Sequence, residues 1–155
     1  MKFGRGMMGF ATIAIAAPAP VLATGLQTFS AQCSMCHQPN GAGLPGSFPR
    51  LAGRVPEIAG SPGGRRYLAM VLLYGLYGPI TVDGKRISGL MPSMASLSNQ
   101  AIADVLNHVL TLEKPARKIA PFTAAEIAAV RAGAGKTSSD VATERARLAG
   151  LKLIP

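Results

Sequence analysis

The sequence predicts an all-α fold, small and single-domain, broken by one short β-hairpin and followed by a helical C-terminal extension. Three observations carry this. After Ser98, the residues Ile102, Val105, Leu106, Val109, Leu110 and Leu112 recur at helical spacing, with Ser98 placed to cap the first turn. Asp83-Gly84 stands between Ile80-Thr81-Val82 and Lys85 to Ser88, a two-residue turn between two short extended runs. Thr123-Ala124-Ala125-Glu126 has the form of a capping box and opens a further helix beyond the main domain.

The chain has 155 residues, room for one domain and a bounded extension. Its 16 Lys+Arg against 7 Asp+Glu give a formal charge of +9, which favours acidic partners by long-range steering. The basic residues are scattered and aromatics are few, so nucleic acid is not an expected partner.

Residues 1–23 read as an export leader. Lys2 and Arg5 form a positive start, Met7 to Ala17 an apolar stretch, and Val21-Leu22-Ala23 a cleavage site. Pro18 and Pro20 interrupt the apolar run, which falls short of the ~20 residues of a membrane span, so membrane attachment is expected only if the leader stays uncut. Cleavage would leave 14 basic against 7 acidic residues. The location implied is periplasmic.

From Asn40 to Gly64 the chain is rich in Gly and Pro and reads as an ordered loop. Tyr67 to Leu76 is mainly apolar and predicts a buried helix ending at Gly75 to Gly78. After Lys114, one helix is expected from Thr123 to about Ala132 and another from about Asp140 to Ala149, ended by Gly150. The expected boundaries are thus 1–23 for the leader, 24–114 for the domain and 115–155 for the extension.

An exported chain with two cysteines ordinarily suggests a disulfide, but Cys33-Ser34-Met35-Cys36-His37 is C-x-x-C-H, the attachment signature of a c-type haem. On one helical turn the two thiols reach the same edge of the ring and the adjacent imidazole lies under the iron. A thioredoxin-like pair lacks its strand context here, and a zinc site lacks a second Cys or His pair.

With that signature, the stretch from Gly25 to Leu112 resembles the class I cytochrome c family of bacterial monohaem type. Gly25 and Phe29 stand eight and four residues before Cys33, where that family joins its first and last helices. Pro49 and Leu51 follow His37 by twelve and fourteen residues, again as in the family. The resemblance implies one covalent haem c on Cys33 and Cys36, with His37 as a metal ligand held by the Pro49 carbonyl. Gly89-Leu90-Met91-Pro92 looks like the family's methionine loop, which makes Met91 the expected sixth ligand. Met94 is the alternative. Met70 sits in an apolar helical run and reads as core, and His108 reads as a packing residue of the last helix.

The function implied is one-electron transfer between periplasmic protein partners, a donor and an acceptor with acidic docking surfaces, steered by basic residues such as Arg50, Arg54, Arg65, Arg66, Lys85 and Arg86. No catalytic residue is expected. The alternatives are a dedicated cytochrome subunit of a periplasmic dehydrogenase or reductase, with the extension as its docking element, and a haem sensor or enzyme with an open sixth position.

Overall fold

The computed structural model of the chain describes Met1, residues 24–133 and residues 136–155. Apart from Met1, the expected leader lies outside the described residues. Among them are seven helices and one two-stranded antiparallel sheet, so the helical fold with its hairpin and helical extension is as expected. No described helix is long and apolar enough to cross a membrane.

Helix α1 (Gly25–Gln32) opens on a Thr24 capping box with Gln27. After a break at Cys33, α2 (Ser34–His37) supplies a single turn, which Gln38 ends at φ 64°. The Gly- and Pro-rich segment that follows is an ordered loop, but it holds more helix than its composition suggests. Helix α3 (Arg54–Ile58) lies within it, and α4 (Pro62–Tyr74) begins before Tyr67. Ser61 caps α4 by accepting from the Gly64 amide at 3.0 Å, and Pro62 at the first helical position has φ preset and no amide to satisfy. Gly64 is in the helix because the Ile58 carbonyl occupies the space a Cβ would need.

Strands β1 (Leu76–Val82) and β2 (Lys85–Met91) pair from Val82↔Lys85 at the turn to Leu76↔Met91 at the open end. Asp83 and Gly84 both take positive φ, as this two-residue turn requires. The hairpin is longer than its sequence signal, and Met91 is the last residue of β2 and not part of a free loop. Helix α5 (Asn99–Thr111) is capped by Ser98, whose Oγ accepts from the Ala101 amide at 3.1 Å. Helix α6 (Ala124–Ala132) has the expected Thr123–Glu126 capping box, and α7 (Ser138–Gly150) a second one, Thr137–Asp140.

Packing follows the apolar faces. Helix α1 crosses α5, while α6 lies on α4 and α5, and α7 on α4 and β1. Ile102, Ile127, Val141 and Leu148 are wholly buried, so both helices of the extension contribute to the same core as α5. At the α1–α5 crossing the Phe29 ring lies 5.2 Å from the His108 ring, and Gly25 packs against the Asp104 carbonyl with no room for a side chain.

Candidate haem site

The amide of His37 donates to the Cys33 carbonyl at 2.9 Å and that of Cys36 to the same oxygen at 3.2 Å. This turn brings both sulfurs and the imidazole to one side of an apolar cavity. The cysteines form no disulfide. The cavity wall includes Val55, Ile58, Leu68 and Val71 from α3 and α4, and Ile80, Ile87 and Met91 from the hairpin.

His37 is buried, and its Nδ1 lies 2.9 Å from the Pro49 carbonyl oxygen. A carbonyl only accepts, so Nδ1 carries the proton and Nε2 is left with its lone pair free. Burial lowers the His37 pKa, and the Pro49 bond raises it by less. The net effect favours the neutral imidazole, the form a metal requires. Burial also raises the Cys33 thiol, with a further push from Cys36.

Gly43 supports the Pro49 contact and has no counterpart among the residues expected from sequence. At φ 66° it admits the returning loop, and a Cβ there would stand 2.6 Å from the Pro49 oxygen. Its own amide donates to the His37 carbonyl at 2.9 Å. The only local hint was a glycine among several.

Two sulfur ligands are available from the hairpin side, since Met91 and Met94 both line the cavity. Ser93 Oγ donates to the Leu73 carbonyl at 2.6 Å and the Met94 amide to the Leu72 carbonyl at 2.7 Å, tying this segment to the end of α4. Met70 is buried in the core, Met35 is exposed, and His108 lies against Phe29 with its buried Nε2 unpartnered; none of the three lines the cavity.

Donor set and lining fit one iron porphyrin: two thiols, a neutral imidazole and a thioether around an apolar slot. The family model for cytochrome c matches residues 22–113. The chain belongs to the cytochrome c family. It is 50% identical over 125 residues to a cytochrome c-552 of Thermus thermophilus, an alignment covering 79% of this chain and 94% of that relative. A second cytochrome c-552 of the same species is also 50% identical over 125 residues, with 83% of its length covered. As a cytochrome c, the chain carries one covalent haem c with its iron and acts as an electron-transfer protein.

The basic residues expected to steer partners are not equally available. Arg54 is 6% exposed and belongs to the cavity wall. Arg65 is occupied by Glu126, Arg50 by Asp83 and Arg66 by Glu144. Lys85 and Arg86 on the hairpin are exposed. The hydrophobic face of the chain cannot bury its extension and leave these arginines free, because the extension brings the carboxylates that pair with two of them.

Proposed function

We propose that this cytochrome shuttles single electrons between periplasmic donor and acceptor proteins with acidic docking surfaces. In this reading Cys33 and Cys36 would anchor the haem by thioether bonds, His37 and Met91 would ligate its iron, and Pro49 would orient His37. The observation that carries it is the single cavity onto which Cys33, Cys36, His37 and the Met91 segment all open, with His37 already held by Pro49.

Haem c supplies one-electron Fe(III)/Fe(II) exchange, and the rest is the work of the chain. The Pro49 carbonyl fixes the ring orientation and tautomer of His37 and raises its basicity. The apolar wall excludes water. Met91 contributes a thioether, which does not titrate and raises the potential relative to a second histidine. No bond to a substrate is made, so no acid, base or nucleophile is called for. Lys85 and Arg86 are the exposed members of the expected steering set that have no carboxylate partner among the described residues, and association with an acidic partner slows as salt is added.

The test is the methionine-to-iron absorption band of the oxidised protein. It is present in the wild type, lost in Met91→Ala and kept in Met94→Ala. Loss only in Met94→Ala transfers the ligand role to Met94, and a wild type without the band brings forward an open sixth position. Burial of Ile127, Val141 and Leu148 in the shared core favours a free carrier over a complex subunit docked through the extension. Residues 1–23 are read as the export leader, checked by the N-terminal sequence of the secreted protein.

A further inference from the structure

The hairpin is a wall one strand layer thick between the haem cavity and the surface. Strand alternation sends Leu76, Gly78, Ile80, Ile87, Gly89 and Met91 to one face, and all six line the cavity. It sends Tyr77, Pro79, Thr81, Arg86, Ser88 and Leu90 to the other face, and all six are exposed. Tyr77 and Leu90 are cross-strand partners with 61% and 65% of their surface exposed, an uncovered apolar pair next to Leu76↔Met91. Beside them Gly78 pairs with Gly89, so the cavity is lined there by backbone alone. A Cβ on either glycine would meet no atom within 4 Å, so no close approach within the chain calls for them; the pair thins the wall and leaves room for a flat ring.

Charge singles out the same element. Lys85 and Arg86, at its turn end, have no carboxylate partner among the described residues, while the neighbouring Asp83 is engaged by Arg50. The exposed apolar residues around the haem anchors, Met35, Leu44 and Phe48, stand in an uncharged segment: no Lys, Arg, Asp or Glu occurs from Thr24 to Pro49. An acidic partner is therefore steered to the hairpin and not to that segment. A second copy of the chain is a poor occupant, because two chains each of formal charge +9 repel one another.

We propose that the outer face of the hairpin is the electron port of this cytochrome, the surface on which an acidic redox protein docks. The inference rests on the haem-carrier reading above and names the surface that reading uses. Tyr77 and Leu90 supply the apolar centre of the contact, and Lys85 and Arg86 supply charge at its rim, the division of labour found in protein interfaces. The Gly78–Gly89 backbone is the layer the electron crosses. In the step itself one electron leaves the partner's cofactor and reduces ferric iron to ferrous, with no bond made or broken.

The experiment mixes the full-length ferric holoprotein with flavodoxin hydroquinone, an acidic one-electron donor, and follows iron reduction at a series of salt concentrations. Wild-type reduction is expected to slow as salt rises. Arg86→Glu is expected to cut the rate constant about tenfold at low salt and to approach the wild type at high salt. Tyr77→Ser is expected to weaken docking about tenfold at every salt concentration. Lys85→Glu takes the place of either variant that fails to accumulate. Lys118→Glu makes the same change of charge on the exposed loop before α6 and is expected to lose far less. When oxidised flavodoxin is added to the ferrous protein, the amide shifts are expected on β1 and β2. Wild-type rates in Arg86→Glu, Lys85→Glu and Tyr77→Ser, or shifts confined to residues 24–49, overturn the port. So does a dimer of the free protein that Tyr77→Ser abolishes, since a second copy then holds the face. A wild type that flavodoxin does not reduce overturns the carrier reading itself, a result distinct from variants that match a wild type that is reduced.

Discussion

Gly75 lies directly beneath Met91: at φ 75° it ends α4, and a Cβ on it would stand 2.5 Å from the Met91 carbonyl oxygen and 3.1 Å from the Ser93 amide nitrogen. Only glycine meets both demands, the left-handed backbone and the close approach. Gly75→Ala is therefore expected to cost about 1–3 kcal/mol and to push the Met91–Ser93 segment off the end of α4. In the oxidised holoprotein the methionine-to-iron band should weaken even at temperatures where helix content is unchanged. An intact band with a wild-type melting temperature would show that the segment is not fixed from below.

Asn107 joins α5 to the start of the extension through both ends of its amide. Its Nδ2 donates to the Phe122 carbonyl at 3.0 Å, and its Oδ1 accepts from the Phe122 amide at 2.6 Å. Arg65 stacks over the Phe122 ring at 4.0 Å, so this residue is gripped from three sides. Asn107→Ala removes both bonds and leaves two main-chain groups of Phe122 unpaired, for an expected loss of about 2–3 kcal/mol in denaturant unfolding. Asn107→Asp keeps the acceptor and loses the donor, and should fall between the two. Equal stability of all three proteins would rule out a stabilising role for the Asn107–Phe122 bonds.

What was legible in the sequence was local. Thr123 and Glu126, or Asp83 and Gly84, signal through neighbours three residues apart or adjacent, so α6 and the hairpin turn are found where their residues place them. C-x-x-C-H is local in the same sense. The full length of the hairpin was hidden because Gly75, Gly78 and Pro79 look like breakers. A two-stranded sheet tolerates Pro79, since every strand in it is an edge, and the pairing runs on to Leu76↔Met91. The start of α4 was hidden by Gly63 and Gly64, whose presence answers a tertiary demand, the Ile58 carbonyl pressed against Gly64. Arg54 reads as a surface charge from sequence because nothing near it announces Arg145, which joins it in the cavity wall only when α7 packs on β1 and α4. Gly43 was unmarked for the same reason: its partner is the Pro49 carbonyl across a loop.

The extension should loosen in acid before the rest of the core. The Arg65 hydrogen bonds hold the Glu126 carboxyl below the usual carboxylate range, and those of Arg147 do the same for Glu144, which also pairs with Arg66 of α4. A carboxyl whose folded pKa is depressed contributes stability above its unfolded pKa, about 4.3 for glutamate, and that contribution is lost as pH falls through the folded value. Both pairs are partly exposed, so each contributes only about 0–1 kcal/mol. The expected result is a selective loss of amide-exchange protection in α6 and α7 below about pH 4.3, with α5 still protected. Protection lost at the same pH in α5, α6 and α7 would mean that these pairs do not govern docking of the extension.

Arg131 of α6 makes the reciprocal contact, reaching from the extension to the segment that follows the methionines. Its Nη1 donates to the Ala95 carbonyl and its Nη2 to the Leu97 carbonyl, both at 2.8 Å, while Nε donates to Asn99 Oδ1 at 2.7 Å. These acceptors lie just beyond Met94 and lead into the first turn of α5, so one planar side chain fixes the exit of the methionine segment. Arg131→Gln cannot span all three acceptors, and two main-chain carbonyls lose a charged donor, each such bond being worth about 1.5–3 kcal/mol. Part of this is recovered by water, because Ala95 is exposed. A net loss of about 1–3 kcal/mol is therefore expected. The site of the loss separates this contact from general destabilisation. If Arg131 restrains the methionine segment, the methionine-to-iron band of Arg131→Gln disappears at a lower denaturant concentration than the helical signal, whereas the two coincide in the wild type. Coincident loss of both signals in the variant would reduce Arg131 to one more bond holding the extension in place.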